Sequence, residues 1–130
     1  MNKEFENYFN TFEKAHVRLT DVLGQKKDEY MRDSAIQRFE FTFELFWKLL
    51  KKYCEYQGKP VNSPRESIRE VFALQVIDED LRYLEMLEHR NMTTHTYRED
   101  LAEEIYANLP IYANLMQKAM IEIKNQLKNE

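Results

Sequence analysis

The architecture of this chain follows from residues 33–51, which read DSAIQRFEFTFELFWKLLK. Large apolar side chains recur here at spacings of three and four, which is typical of one face of an α-helix. The members of this stripe are Ile36, Phe39, Phe43, Phe46, Leu50 and Tyr53, and it is widened by Phe41, Leu45, Trp47 and Leu49. Because more than half of the helix surface would be apolar, we expect a helix over residues 30–57 at the centre of the fold.

One further helix is predicted on each side of this segment. Apolar spacing predicts the first over residues 3–23, and Gly24 closes it. After the central helix, Ser63, Pro64 and Glu66 form a capping box with proline at the first helical position. This pattern predicts a short helix that runs to about residue 74.

Two more helices are predicted in the second half of the chain. We expect Asp78 to cap a fourth helix that ends near Arg90. Thr96 opens a second capping box, which predicts a last helix that begins at Tyr97 and runs to about residue 127. Pro110 lies inside that helix and should kink it or shift its hydrogen-bond ladder.

The expected fold class is all-α, an up-and-down four-helix bundle with one short extra helix, in a single domain over residues 1–130. Only two glycines and three prolines interrupt the chain, which leaves little room for hairpins or a β fold. Eight Phe and eight Tyr side chains could all fill one core, or some could serve a dimer face, and both readings stay open.

Charge and composition exclude several classes of function. The net charge is −4, which is wrong for a protein that coats duplex DNA through a broad basic face, so any RNA contact must be local. No apolar run is long enough to cross a membrane, and no signal peptide is recognisable at the N-terminus. The single cysteine, Cys54, fits a reducing compartment, and we expect a cytoplasmic protein with a buried thiol there.

The segment most suggestive of chemistry is residues 90–97, RNMTTHTY, between the last two predicted helices. Arg90 brings forked donors that suit phosphate, and His95 brings a side chain that exchanges protons near neutral pH. We expect the free N–H groups of the following helix start to attract an anion as well. On RNA, His95 could act as general acid or base on the 2′-hydroxyl or the leaving oxygen while Arg90 stabilises the phosphoryl charge, with no metal or other cofactor.

A plainer interpretation of this turn stays open. Arg90 could simply cap the carbonyl end of its helix, the threonines could be ordinary capping residues, and His95 could be solvated. Arg38 on the central helix could reach a ligand or pair with a carboxylate, whereas Glu40 and Glu44 fit a surface ladder of ion pairs with Lys48. His16 and His89 lack companions at metal-ligand spacing, so no metal site is expected.

Two separated stretches carry a resemblance to a known family. Residues 33–51 look like the signature helix of the nucleotidyltransferase substrate-binding family, and residues 90–97 resemble its second signature. That family belongs to the HEPN superfamily of helical bundles. The resemblance implies a homodimer that works with a separate minimal nucleotidyltransferase protein.

The resemblance also assigns roles to residues of the turn. The superfamily motif is an arginine, four to six residues, then a histidine, which Arg90 and His95 match, and many HEPN proteins that carry it are metal-independent ribonucleases. In HepT-type toxins a tyrosine two positions after the histidine receives AMP from the partner, and Tyr97 matches it. Asn91 and Thr94 would be supporting residues.

The leading hypothesis is therefore that the chain is an RNA-directed, toxin-like HEPN protein that is regulated by AMP addition to Tyr97. This hypothesis favours an endoribonuclease as the activity. The alternative is a non-catalytic subunit that binds a nucleotide and presents a substrate to the nucleotidyltransferase, with Arg90, Asn91, Thr94 and Arg38 as the binding residues. A third reading is an assembly subunit that binds no ligand.

Overall fold

A computed structural model describes residues 1–129 as an all-helical bundle, which confirms the predicted fold class. Its helices are α1 (Lys3–Leu23), α2 (Glu29–Tyr56), α3 (Pro64–Ala73), α4 (Arg82–Asn91) and α5 (Glu99–Lys128), and a single 3₁₀ turn, Thr93–His95, lies between α4 and α5. Residues 1–129 contain no β-strand. Over the same residues, no helix combines the length and the apolar character that a membrane crossing needs.

Helix α2 lies at the centre of the bundle, as its apolar stripe predicts, and it contacts each of the other four helices. The rings of Phe39, Phe43 and Phe46 are fully buried. Phe39 stacks on Tyr112 of α5 with ring centroids 5.8 Å apart, and Phe46 stacks on Tyr83 of α4 at 6.3 Å. These contacts join three helices through one set of aromatic rings.

The predicted width of the stripe is wrong at Phe41, whose side chain is 56% exposed. Phe41 is two residues from both Phe39 and Phe43, which places it about 200° around the helix from each of them. A helix that turns those two rings into the core must turn Phe41 away from it. The result is an exposed aromatic ring on the surface of α2.

Two helix starts follow the capping chemistry of the sequence. Asp28 caps α2, where its carboxylate accepts the backbone N–H of Met31 at 2.7 Å. Ser63 caps α3 as predicted, and its hydroxyl accepts the N–H of Glu66 at 3.1 Å. Each cap satisfies a backbone donor that has no partner inside its helix.

The predicted start of α4 is wrong, because the helix begins at Arg82 and Asp78 does not cap it. The residue before the helix is Leu81, which makes no side-chain cap. Asp80 lies next to it, where its Oδ1 accepts the backbone N–H of Arg82 at 3.0 Å and its Oδ2 pairs with the guanidinium of the same residue at 2.7 Å. The carboxylate of Asp80 thus accepts from both the backbone and the side chain of Arg82 at the observed helix start, which is later than the sequence pattern predicts.

Helix α5 continues through Pro110 to Lys128. Proline has no N–H, so the carbonyl of Tyr106 receives no helical hydrogen bond from position 110. The buried residues Leu109 and Tyr112 lie on either side of the proline. Their packing holds the helix together where the ladder lacks one bond.

Arg32 joins the first turns of α2 and α5. Its side chain is only 4% exposed, and it donates to Glu99 at 2.6 Å, to Glu103 at 3.1 Å and to Asp33 at 3.0 Å. Hydrogen bonds to Glu99 and Glu103 raise the pKa of the guanidinium further, despite its burial. Lys27 also pairs with Glu103. This network ties the start of α5 to α2, just after the segment between α4 and α5.

We expect Phe46→Ala to lower the free energy of unfolding by about 3–5 kcal/mol, because it removes a fully buried ring and leaves a cavity. Urea unfolding followed by circular dichroism measures the change. Phe41→Ala on the same helix is the matched control, and it should change the free energy by no more than about 0.5 kcal/mol, since that ring is mostly exposed. Equal losses in the two variants would contradict the orientation of α2.

Candidate functional site

Arg90 lies in the last turn of α4, as predicted, and its side chain reaches across to α2. Its Nη2 donates to Glu44 Oε2 at 2.7 Å, and its Nη1 donates to Asn91 Oδ1 at 3.3 Å. The guanidinium carbon lies 5.6 Å from the ring centroid of Phe43, in cation–π range. The cation is thus held in one orientation and keeps N–H groups that these bonds do not use.

Glu44 is the residue of this site that sequence reasoning missed. Besides Arg90, its carboxylate accepts Trp47 Nε1 at 3.1 Å and pairs with Lys48 at 3.5 Å. Burial acts to raise the pKa of Glu44, but the Trp47 hydrogen bond and the charges of Arg90 and Lys48 together hold it below its usual value. The expected pair with Lys48 exists, and spacing along one helix could not reveal the second cation from α4.

The turn after α4 is held by its own hydrogen bonds. The hydroxyl of Thr93 donates to the carbonyl of Arg90 at 2.8 Å, and that of Thr96 donates to the carbonyl of Thr93 at 3.0 Å. The backbone N–H of His95 donates to Met92 O at 2.9 Å. Thr93 and Thr96 therefore serve local structure, as the plainer reading of the turn expected, while they fix the backbone between Arg90 and His95.

His95 and Tyr97 extend from this turn towards solvent. Their rings pack edge to face, with centroids 6.1 Å apart and planes at 78°. Tyr97 is 80% exposed, and within residues 1–129 the imidazole of His95 has no hydrogen-bond partner. An exposed phenol and an imidazole with free nitrogen atoms lie side by side here, on the turn that follows a fixed guanidinium.

The predicted capping of α5 by Thr96 is wrong, and the helix begins at Glu99 with Arg98 before it. Thr96 does not cap because its backbone is not extended and its hydroxyl bonds back to Thr93. The first turn of α5 carries Glu99 and Asp100. Carboxylates at this helix start oppose an incoming anion, so this helix N-terminus does not favour phosphate as the sequence pattern suggests.

The remaining predicted residues separate into different places. Thr94 is exposed on the turn, and Asn91 contacts Arg90 directly. Arg38 lies on another face of α2, where its Nη1 donates to the carbonyl of Arg18 in α1 at 2.7 Å. The structure therefore does not bring Arg38 to the side chain of Arg90.

The side chains of the other two histidines and of the cysteine are held by burial or by hydrogen bonds within the bundle. His16 is buried against the carbonyl of Ala113 at 2.9 Å. His89 lies between the Tyr112 hydroxyl at 2.5 Å and Glu104 at 3.0 Å. Burial, with smaller contributions from nearby carboxylates, raises the pKa of the Cys54 thiol to about 12. In the described part of the chain no group of three or more His, Cys, Asp or Glu side chains could hold a metal ion.

Known proteins are similar to this chain in sequence and in fold. The family model described as "Nucleotidyltransferase substrate binding protein like" matches residues 3–127. "Probable ribonuclease HepT" of Haemophilus influenzae (strain ATCC 51907 / DSM 11121 / KW20 / Rd) is 29% identical over an alignment of 82 residues, and the match covers 58% of this chain and 55% of that protein. The chain thus spans about half the length of the curated relative it matches.

A solved structure is also similar along most of the chain. It is the crystal structure of a protein from Thermus thermophilus, which is 40% identical and superimposes with a TM-score of 0.81. The similarity covers 86% of this chain and 98% of that one. At this identity and coverage, the bundle and the order of its helices are shared.

We expect Glu44→Gln to lower the melting temperature at pH 7 and to approach the parent as the pH falls. The lowered pKa of Glu44 means that its ionised form stabilises the fold above the unfolded pKa of about 4.3, and that this contribution is lost as the pH falls through the folded pKa. Thermal unfolding from pH 7 to pH 3 measures the difference. Glu40→Gln, one turn earlier, removes a carboxylate that has no ion pair in residues 1–129 and should show a smaller change.

Proposed function

The chain belongs to the family of nucleotidyltransferase substrate binding protein-like proteins, and from this membership we propose that it is the HEPN-type helical partner of a separate minimal nucleotidyltransferase. We further propose that it forms a cytoplasmic homodimer and acts on RNA through Arg90 and His95. The observation that supports this most is the guanidinium of Arg90, which Glu44 and Phe43 hold in place beside a turn that exposes His95 and Tyr97.

In the proposed reaction Arg90 binds the phosphate of an RNA strand through the N–H groups that Glu44 and Asn91 do not use. The 2′-oxygen forms a bond to the adjacent phosphorus as the bond from phosphorus to the 5′-oxygen breaks. The products are a 2′,3′-cyclic phosphate and a free 5′-hydroxyl. His95 takes the proton from the 2′-hydroxyl or supplies one to the leaving 5′-oxygen, and water exchanges the other proton. Arg90 stabilises the charge on the phosphoryl oxygens.

The proposed regulation is AMP addition to Tyr97 by the partner nucleotidyltransferase. The phenolic oxygen of Tyr97 attacks the α-phosphorus of ATP, pyrophosphate leaves, and the phenol proton passes to a base or to water. The exposure of Tyr97 suits a second protein's active site, and its contact with the His95 ring would place the added phosphate beside the proposed catalytic group. AMP there would block RNA by sterics and by charge.

A non-catalytic substrate-binding subunit is the second candidate, and the family description itself favours it. In this role the turn holds a nucleotide for the partner enzyme and cuts nothing. The carboxylate of Glu44 on Arg90 is consistent with a cation that is kept in position for binding. RNA that stays intact at every pH, together with nucleotide binding that Arg90→Ala abolishes in titration calorimetry, would select this candidate.

We expect His95→Ala and Arg90→Ala each to slow RNA cleavage by roughly 10²-fold or more, because one removes the proton-transfer group and the other the phosphate ligand. Gel analysis of a labelled RNA measures the rate, and circular dichroism verifies the fold. Arg82→Ala is the matched control, an exposed arginine on the same helix whose ion pair within residues 1–129 is with Asp80 alone. If His95→Ala cleaves as fast as the parent, the catalytic role of His95 is wrong.

We expect mass spectrometry to find one added adenylate after incubation with the partner nucleotidyltransferase and ATP, and to find none in Tyr97→Phe. Tyr30→Phe is the control, since Tyr30 and Tyr97 are equally exposed at 80% and only Tyr97 contacts His95. The modified protein should also lose its RNA cleavage. An adenylate that remains in Tyr97→Phe would move the modification to another residue.

A further inference from the structure

We propose a second ligand site in the α1–α2 cleft, which binds a nucleoside phosphate through three cations and one aromatic ring. The cleft has a volume of about 210 Å³, and its lining includes Lys14, Arg18, Arg38, Phe41 and Leu45. The inference goes beyond the proposed function, because it concerns a different face of α2 and does not need cleavage at His95.

The charges of this cleft are unusual for the chain. The whole protein has 23 acidic and 19 basic residues, yet no carboxylate lines the cleft. Among residues 1–129, none of Lys14, Arg18 and Arg38 forms an ion pair with Asp or Glu. Three cations that meet without a counter-charge repel one another, and a bound phosphate would relieve that repulsion.

The cleft is held in shape by contacts between its two helices. Arg38 Nη1 donates to the carbonyl of Arg18 at 2.7 Å, which fixes a guanidinium of α2 against α1. The buried hydroxyl of Thr42 lies 2.7 Å from the carbonyl of Arg38 and 3.3 Å from that of Ala15. Arg38 is therefore positioned before a ligand arrives, and its other N–H groups are free among the described residues.

Phe41 gives the cleft a surface for a base. Its ring is more than half exposed, three residues from Arg38 and four from Leu45, so the three share one face of α2. Aromatic rings beside a cationic groove are how proteins bind single-stranded nucleic acid, since every base can stack. The ligand chemistry is thus a phosphate joined to a base, supplied either by a free nucleotide or by a single RNA strand.

The test measures binding in an Arg90→Ala background, which removes the cation of the turn and leaves the cleft intact. Fluorescence anisotropy with a labelled single-stranded oligoadenylate and titration calorimetry with ATP distinguish the two sources. We expect Phe41→Ala to weaken binding roughly tenfold or more. We expect Lys14→Ala to weaken it several-fold and to reduce the salt slope by about 0.7.

Two matched variants serve as controls and should leave binding unchanged. Lys118→Ala removes an exposed lysine from a cleft that contains carboxylates, and Tyr30→Ala removes an aromatic ring that is 80% exposed. If only the oligoadenylate binds, the ligand is an RNA strand. If both probes bind, the ligand is a nucleotide unit. Either result supports the site.

Other outcomes overturn the proposal. It fails if neither probe binds the Arg90→Ala protein, or if Phe41→Ala and Lys14→Ala bind as well as their background. It also fails if no probe binds and Phe41→Ala instead lowers the molecular mass in solution, since the face would then be a contact between copies of the chain. RNA cleavage by the parent is a separate measurement, so failure of this site leaves the assignment of Arg90 and His95 untouched.

Discussion

The burial of the aromatic face of α2 is the constraint on which the rest of the structure depends. Phe39, Phe43 and Phe46 must all leave water, and only one rotation of the helix about its axis satisfies the three. That rotation also decides which neighbour each polar residue of α2 meets. Glu44 is turned towards α4, where it meets Arg90, and Arg38 is turned towards α1. The same burial thus produces both the fixed guanidinium and the cationic cleft.

Much of the bundle could be predicted because its signals are local. The bounds of α1, the central position of α2 and the cap of α3 by Ser63 follow from apolar spacing and capping chemistry within a few residues. The starts of α4 and α5 could not be predicted in the same way. The sequence pattern favours Asp78 as the cap of α4, whereas in the structure the carboxylate of Asp80 accepts from the backbone and the guanidinium of Arg82.

The residues of the candidate site also separate into those that a local sequence pattern shows and those that only long-range contacts reveal. The spacing of Arg90, His95 and Tyr97 and the resemblance to a family could be read from the sequence, and the roles given to these residues remain proposals. Glu44 lies 46 positions from Arg90, so no local pattern connects them. The ion pair between Arg32 and Glu99 at the start of α5 joins residues 67 positions apart, so no local pattern could predict it either. Long-range ion pairs of this kind can be identified only from the packed structure.

One consequence of the environment of Glu44 concerns the cost of ligand entry at Arg90. A carboxylate that loses its only counter-ion inside a protein becomes a stranded charge, which is strongly unfavourable. Glu44 also has the indole of Trp47 and the ammonium of Lys48 as partners, and it would retain both if a phosphate shared the guanidinium of Arg90 with it. A second anion on Arg90 would therefore leave no polar group of α2 without a partner, and α2 would not need to move when a ligand bound.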